Sequence, residues 1–200
     1  MTLHPVYGHE ELRRRLLESV SARRLPQSLL FTGPEGVGKQ RLALWLGSAL
    51  LCEAGPGERP CEQCRSCRLS ADLQHPDLHW FFPVQAPKGS HTPEKRREKL
   101  ENARLEVLAG RRDNPLQSVE SDRSTALYLP VVEEIRSRAS RRPAMSSGSV
   151  FVIGDAERMV PQASSPEAAN AFLKLLEEPP PDTVFVLTSS RPGLLLPTIW

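Results

Sequence analysis

Neither sign of charge predominates in this chain: 26 lysines and arginines stand against 24 aspartates and glutamates over 200 residues, a formal net charge of +2. A global electrostatic pull toward nucleic acid is therefore excluded, and any such contact has to be a local patch. Long apolar runs are missing too. The opening stretch MTLHPVYGHEELRRRLLESV holds no signal-peptide core, and no later segment reaches membrane-spanning length, so the chain reads as cytosolic. Cysteine is scarce, with four in all. In a reducing compartment that number favours metal binding or chemistry over disulfides. What the chain has is enough apolar content, 39%, to bury a core, and a length that suggests one large domain or a domain with insertions.

The stretch FTGPEGVGKQ, Phe31 to Gln40, is a phosphate-binding loop in every position but its last. Gly33, Gly36 and Gly38 permit the positive φ angles and close backbone approach that let successive N–H groups converge on phosphate oxygens. Lys39 adds a point charge toward the β and γ positions. The next residue of the full motif is Ser or Thr, whose hydroxyl ligates Mg²⁺; Gln40 is longer and a poor ligand for that ion. The flanks agree with the motif. Ser28 to Phe31 has strand character, and in the following segment Leu42, Trp45, Leu46, Ala49 and Leu50 share one helical face. Strand, glycine-rich turn and helix together aim a helix N-terminus at an anion.

Elsewhere, Leu12, Leu16 and Val20 mark an amphipathic helix over His9–Arg23, while DLHWFFP (Asp77 to Pro83) suits a buried strand. Residues 86–124 break the pattern and read as a charged helical insertion. Thr92 is placed to cap its helix, Pro93 to start it and Gly110 to end it. Its narrow stripe of Leu100, Ala103, Val107 and Leu108 suggests that the fold does not need it. A helix entered through Pro130 follows, with Val131, Ile135 and Ala139 on one side. Arg136, Arg138, Arg141 and Arg142 lie elsewhere on it, facing either solvent, the commoner case, or a nucleic-acid backbone. SVFVIGDAERM gives a central strand ending in Asp155, SSPEAANAFLKLLEEPP a helix of three to four turns, and TVFVLTSSRPG a further strand ending in Thr188, Ser189 and Ser190. Alternating strands and helices imply an α/β fold with a parallel sheet. Lys39, Asp155 and Thr188 or Ser189 then gather at the carboxyl edge, where ligands bind.

Cys52, Cys61, Cys64 and Cys67 give two overlapping C-x-x-C steps and one further thiol at a helix end. They are all the cysteines of the chain. Four thiolates make a closed tetrahedral site, structural rather than catalytic because no position stays open for water. Redox pairing or free buried thiols is the alternative. His75 and His79 are near in sequence but unnecessary as ligands, and His79 sits inside a strand pattern.

The combination of VYGHEELRRRLLESV, LPQSLLFTGPEGVGK, the four cysteines, HPDLHW, VFVIGDAERM, AANAFLKLLEEPP and LLLPTI resembles the delta prime subunits of the bacterial DNA polymerase III clamp loader, an AAA+ family. The similarity covers nearly the whole chain outside the charged insertion. It implies a P-loop NTPase (AAA+) fold over residues 1–200 with an inserted zinc module at 52–67. It also implies a chain that stops before the Ser-Arg-Cys arginine finger, the last strand, the lid and the collar. The implied partners are delta and gamma/tau subunits in a hetero-pentameric ring, the sliding clamp, and primed DNA through the complex, within a nucleotidyltransferase holoenzyme. In active members of the AAA+ class the Asp ending the second strand is followed directly by a water-activating Glu. Here Asp155 is followed by Ala156, and Glu157 comes one residue late. Loss of the metal hydroxyl at Gln40 and of the base at Ala156 implies a subunit without intrinsic ATPase activity. Its Gly33, Gly36, Gly38, Lys39 and Asp155 would then form a degenerate nucleotide site in which ATP or ADP binding is doubtful. The alternative is an active motor of gamma/tau type.

Overall fold

The computed structural model describes residues 6–55, 58–85, 87–89, 92–113, 125–159 and 167–195. Four parallel strands form the centre: β1 (Ser28–Thr32), β2 (Leu78–Phe81), β5 (Ser149–Ile153) and β6 (Thr183–Ser189), in the spatial order β1-β6-β5-β2. Parallel pairing buries both faces, and β5 is buried at all five positions. Register aligns Ser28 with Phe185, Ser149 with Thr183 and Leu78 with Val150, so all four strands end at one edge.

Helix α1 (Glu10–Ser21) precedes the sheet, and α2 (Lys39–Leu51) lies across one face of it. The approach is close: a Cβ on Gly47 would come within 2.6 Å of the Leu78 side chain. The expected face of α2 is too narrow, because Ala43, Leu44, Gly47 and Leu51 are buried alongside Leu42, Leu46 and Ala49, while Trp45 and Leu50 are half-buried. The opposite face of the sheet carries Phe151 and Phe185, against which α6 (Glu167–Glu177) presses Phe172 edge-on at 5.9 Å. Helix α5 (Leu129–Ala139) packs on α6 and buries Val131, Ile135 and Ala139, as its spacing predicts. Arg136 on this helix and Arg141 and Arg142 just past its end are exposed, whereas Arg138 turns inward to Glu134 and Glu101.

Several short elements go beyond the sequence expectation. A short helix α3 (Arg65–Ala71) follows the cysteine segment, and β3 (Val84–Gln85) pairs antiparallel with β4 (Thr125–Ala126), closing the base of the insertion. A 3-10 helix spans Ala156–Met159. The Ser and Pro cap signals before α6 lie outside the described residues.

The charged helix requires a correction. Helix α4 runs from Pro93 to Asp113, past Gly110, and Thr92 accepts the Lys95 N–H at 3.4 Å. Leu100 and Leu108 are 2% and 6% exposed and belong to the main hydrophobic core. Arg104, 6% exposed, donates from Nη1 to the Trp80 carbonyl at 2.9 Å and is paired with Glu101 at 2.6 Å. Trp80 lies on β2, which is an edge strand. Helix α4 packs on α5 and β3 and, through Arg104, satisfies an outward carbonyl of that strand, so it is joined to the sheet margin rather than lying free on the surface.

Candidate functional site

The glycine-rich loop follows β1, and Gly38 caps α2 with φ 91°, beside Gly36 at 79°. Added Cβ atoms at these two would meet nothing within 4 Å, so conformation rather than crowding requires glycine there. Lys39 folds back on the loop, donating from Nζ to the carbonyls of Gly33 at 2.8 Å and Pro34 at 2.7 Å. The His9 ring nitrogen lies 2.8 Å from the Val37 carbonyl oxygen and ties the start of α1 to the loop.

Gln40 points at the neighbouring strand ends. Its Oε1 accepts the Trp80 indole N–H at 3.1 Å. Its carboxamide crowds Gly154, where a Cβ would lie 2.6 Å from Oε1. The same side chain hydrogen-bonds Asp155. The first turn of α2 thus reaches the ends of β2 and β5 through a neutral amide, in the place where the full motif carries a metal-binding hydroxyl.

Burial pushes the Asp155 carboxyl up, and the nearby Glu157 pushes the same way; the Gln40 hydrogen bond, Arg158 and Lys39 oppose them. The backbone N–H of Asp155 donates to Thr188 Oγ1 at 3.2 Å, which joins the β5 and β6 ends. Ala156 is fully buried. Glu157, 3% exposed, accepts both the N–H and the hydroxyl of Ser190 on Oε1, at 3.1 and 2.7 Å. A carboxylate committed to two donors on the β6 end is poorly placed to activate water.

Arg111, from α4, stacks on Trp80 at 4.0 Å and Phe82 at 4.2 Å. Burial lowers its pKa to about 10, against the attraction of Asp155. Neither Trp80 nor Arg111 was singled out from sequence. The one sequence signal is the Arg111–Arg112 pair just past Gly110, the expected end of the charged helix.

The four cysteines gather at the other end of α2. Cys52 is its C-cap, Cys64 is the N-cap of α3, and Cys67 lies in the first turn of α3. All four Sγ atoms lie within 4.8 Å of one another, with Cys52 and Cys64 at 3.9 Å and no disulfide. A tetrahedral metal with thiolates at about 2.3 Å sets sulfurs roughly 3.8 Å apart, close to what the cluster already holds. Backbone N–H groups of Ala54, Cys61, Cys64 and Cys67 point at the sulfurs at 3.4 Å. The backbone donors of Gln63 and Cys64 pull Cys61 down to about 6, whereas burial pushes Cys67 up to about 12 and raises Cys52. Only a cation would make four such thiolates mutually compatible, so the donor set fits a metal ion. His75 and His79 are not ligands of this cluster. His75 instead lies 3.2 Å from the Ser66 hydroxyl and accepts the Asp77 N–H, whose carboxylate takes three N–H groups from Ala144, Met145 and Ser146.

The family model described as DNA polymerase III, delta subunit, matches residues 8–200. The chain is 29% identical over 184 residues to DNA polymerase III subunit delta' of Bacillus subtilis, covering 92% of this chain and 42% of that protein. It is 28% identical over 194 residues to DNA polymerase III subunit gamma/tau of Mycobacterium bovis, covering 97% of this chain and 26% of the relative. A solved gamma subunit-related protein of DNA polymerase III from Thermotoga maritima has 21% identity and a TM-score of 0.48, covering 95% of this chain and 42% of that one. The chain therefore spans less than half the length of the relatives it matches. Among the described residues no helix is long and apolar enough to cross a membrane. The chain belongs to the family of the DNA polymerase III delta subunit.

Proposed function

We propose that this chain is the P-loop part of a cytoplasmic, non-hydrolysing delta prime subunit, which helps the polymerase III clamp loader place the sliding clamp on primed DNA. One observation carries the reading. The Gln40 carboxamide lies between Trp80 and Asp155, where a motor subunit would need a magnesium ion. The Glu157 grip on Ser190 adds to it, because a second required group is turned to a structural task. Each loss alone removes orders of magnitude in rate; a general base by itself is worth about 10²–10⁴. Gly33, Gly36, Gly38, Lys39 and Asp155 remain a degenerate phosphate site, and their first role is to join β1 to α2.

In this reading the four cysteines hold one structural zinc, which supplies folding free energy to a short polar segment. Cys52 and Cys67 tie α2 to α3, while Cys61 and Cys64 fix the turn between them. The subunit is a fixed wall of the ring, against which neighbouring delta and gamma/tau subunits move. Gamma/tau relatives match almost as well, so an active motor is the second reading, and Gln40 and Ala156 weigh against it.

Single-turnover hydrolysis by this chain, with the neighbouring subunits present, decides between them. The expected result is no metal-dependent ATP turnover above background by the unmodified chain. Turnover abolished by Lys39→Ala would sink the proposal and favour the motor.

A further inference from the structure

Between α4 and β2 lies a cavity of about 230 Å³, far above the roughly 10–15 Å³ that a single water needs. Its walls combine apolar Leu78 and Leu108 with His79, Arg104, Arg112 and Arg138, and no carboxylate lines it. Charge around it is out of balance. Glu101 pairs with both Arg104 and Arg138, and Glu134 with Arg138 and Arg97, whereas Arg112 has no ion pair among the described residues. Arg112 donates from Nη2 to the Leu73 carbonyl at 3.0 Å, yet its Nε is buried and makes no hydrogen bond. With no described ion pair on Arg112 and no carboxylate in the lining, the guanidinium charge stands uncompensated beside a space large enough for a small anion.

We propose that this cavity binds a single phosphate-class oxyanion, which accepts from Arg112 within the positive field of Arg104 and Arg138, with His79 beside it. A guanidinium fork suits a tetrahedral oxyanion in both geometry and charge. His79 lies in the same surroundings: burial first, then Arg138 and Arg104, push its pKa down to about 4, against weaker opposition from Asp77 and Glu101. The site is separate from the glycine-rich loop and shares no residue with it.

Inorganic phosphate is the probe, titrated into the whole chain at fixed ionic strength while the His79 ring resonances are followed by NMR. Saturable binding is expected, with the His79 titration midpoint moving up by about one pH unit as an anion enters. Arg112→Gln should weaken phosphate, as read at His79, at least about tenfold. Two results would overturn the site: a His79 midpoint indifferent to phosphate, or a phosphate response at His79 that Arg112→Gln leaves intact. A short single-stranded oligonucleotide provides the last arm. If it moves His79 and free phosphate neither does so nor competes, the ligand is a nucleic-acid backbone and the small-anion proposal falls.

Discussion

Gln40 Oε1 and Trp80 Nε1 stand 3.1 Å apart, so the first turn of α2 is hydrogen-bonded to the sheet's edge strand. The contact fills the position after the loop lysine with an amide bound to protein, where the full motif carries a metal-binding hydroxyl. The consequence is a coupling that can be measured.

Replacing Gln40 with Ser removes the acceptor of a 9% exposed indole, and such a loss typically costs about 1–3 kcal/mol. Gly154→Ala should also destabilise, because its new methyl carbon meets the Gln40 amide at 2.6 Å. In the double variant the two losses should add to less than their sum, since the serine leaves room. Urea unfolding of the four proteins tests this; strict additivity would mean that the two residues do not share the space.

Removal of the charged helix should not be silent. Arg104→Ala leaves Glu101 half-paired and the Trp80 carbonyl open, a change that at buried ion pairs costs about 3–5 kcal/mol. Leu100→Ala should cost about 2–5 kcal/mol. Deletion of residues 87–122 is expected to open the Trp80 carbonyl and the core that Leu100 and Leu108 join, and to produce aggregation, visible by light scattering. A soluble deletion variant with unchanged melting would restore the dispensable insertion that the sequence suggests.

That contrast shows which features were legible in the chain. Glycine-rich loop, strands and cysteine spacing announce themselves because each is local: a few residues within one turn or one strand carry the signal. The role of α4 is not local. Arg104 and Arg111 look like solvated charges in a polar helix, and only the fold sets one against the Trp80 carbonyl and the other on the Trp80 ring. Gln40 was legible as a departure from a motif, but its partner lies forty positions away on another element. The Glu157 shift could be read as a changed direction, though not its end point at Ser190.

Metal analysis of the purified chain should find about one zinc per molecule. Cys64→Ser should release it, and Cys64→Ala should both release it and remove the side-chain cap of α3, seen as faster amide exchange over residues 64–71. A fully folded protein with no metal would contradict the assignment.

Stability should fall as pH is lowered through the window below the ordinary histidine range. His79 is held down to about 4 in the folded chain, so between about 6.5 and 4 the unfolded state binds the extra proton. Unfolding free energy therefore declines across that interval and levels off, for this group, below it. Comparing denaturation of the chain with His79→Phe, in phosphate-free buffer, isolates the effect from Glu101 and Glu157, whose carboxyls are held low and act further down. The variant's curve should be flatter between the two limits; parallel curves would refute the assignment.

The strand order has a consequence for how the chain is made. β1 leaves the ribosome early, yet its described neighbour in the sheet is β6, whose last residue is Ser189. β5 likewise waits for β6 on one side. Until β6 has emerged, the nascent chain carries β1 and β5 with open edges, the condition in which chains pair wrongly with one another. A hydrophobic strand that slots between two earlier ones makes their joining a single late step, and makes chains interrupted before Thr183 a source of sticky fragments with β1 and β5 unjoined.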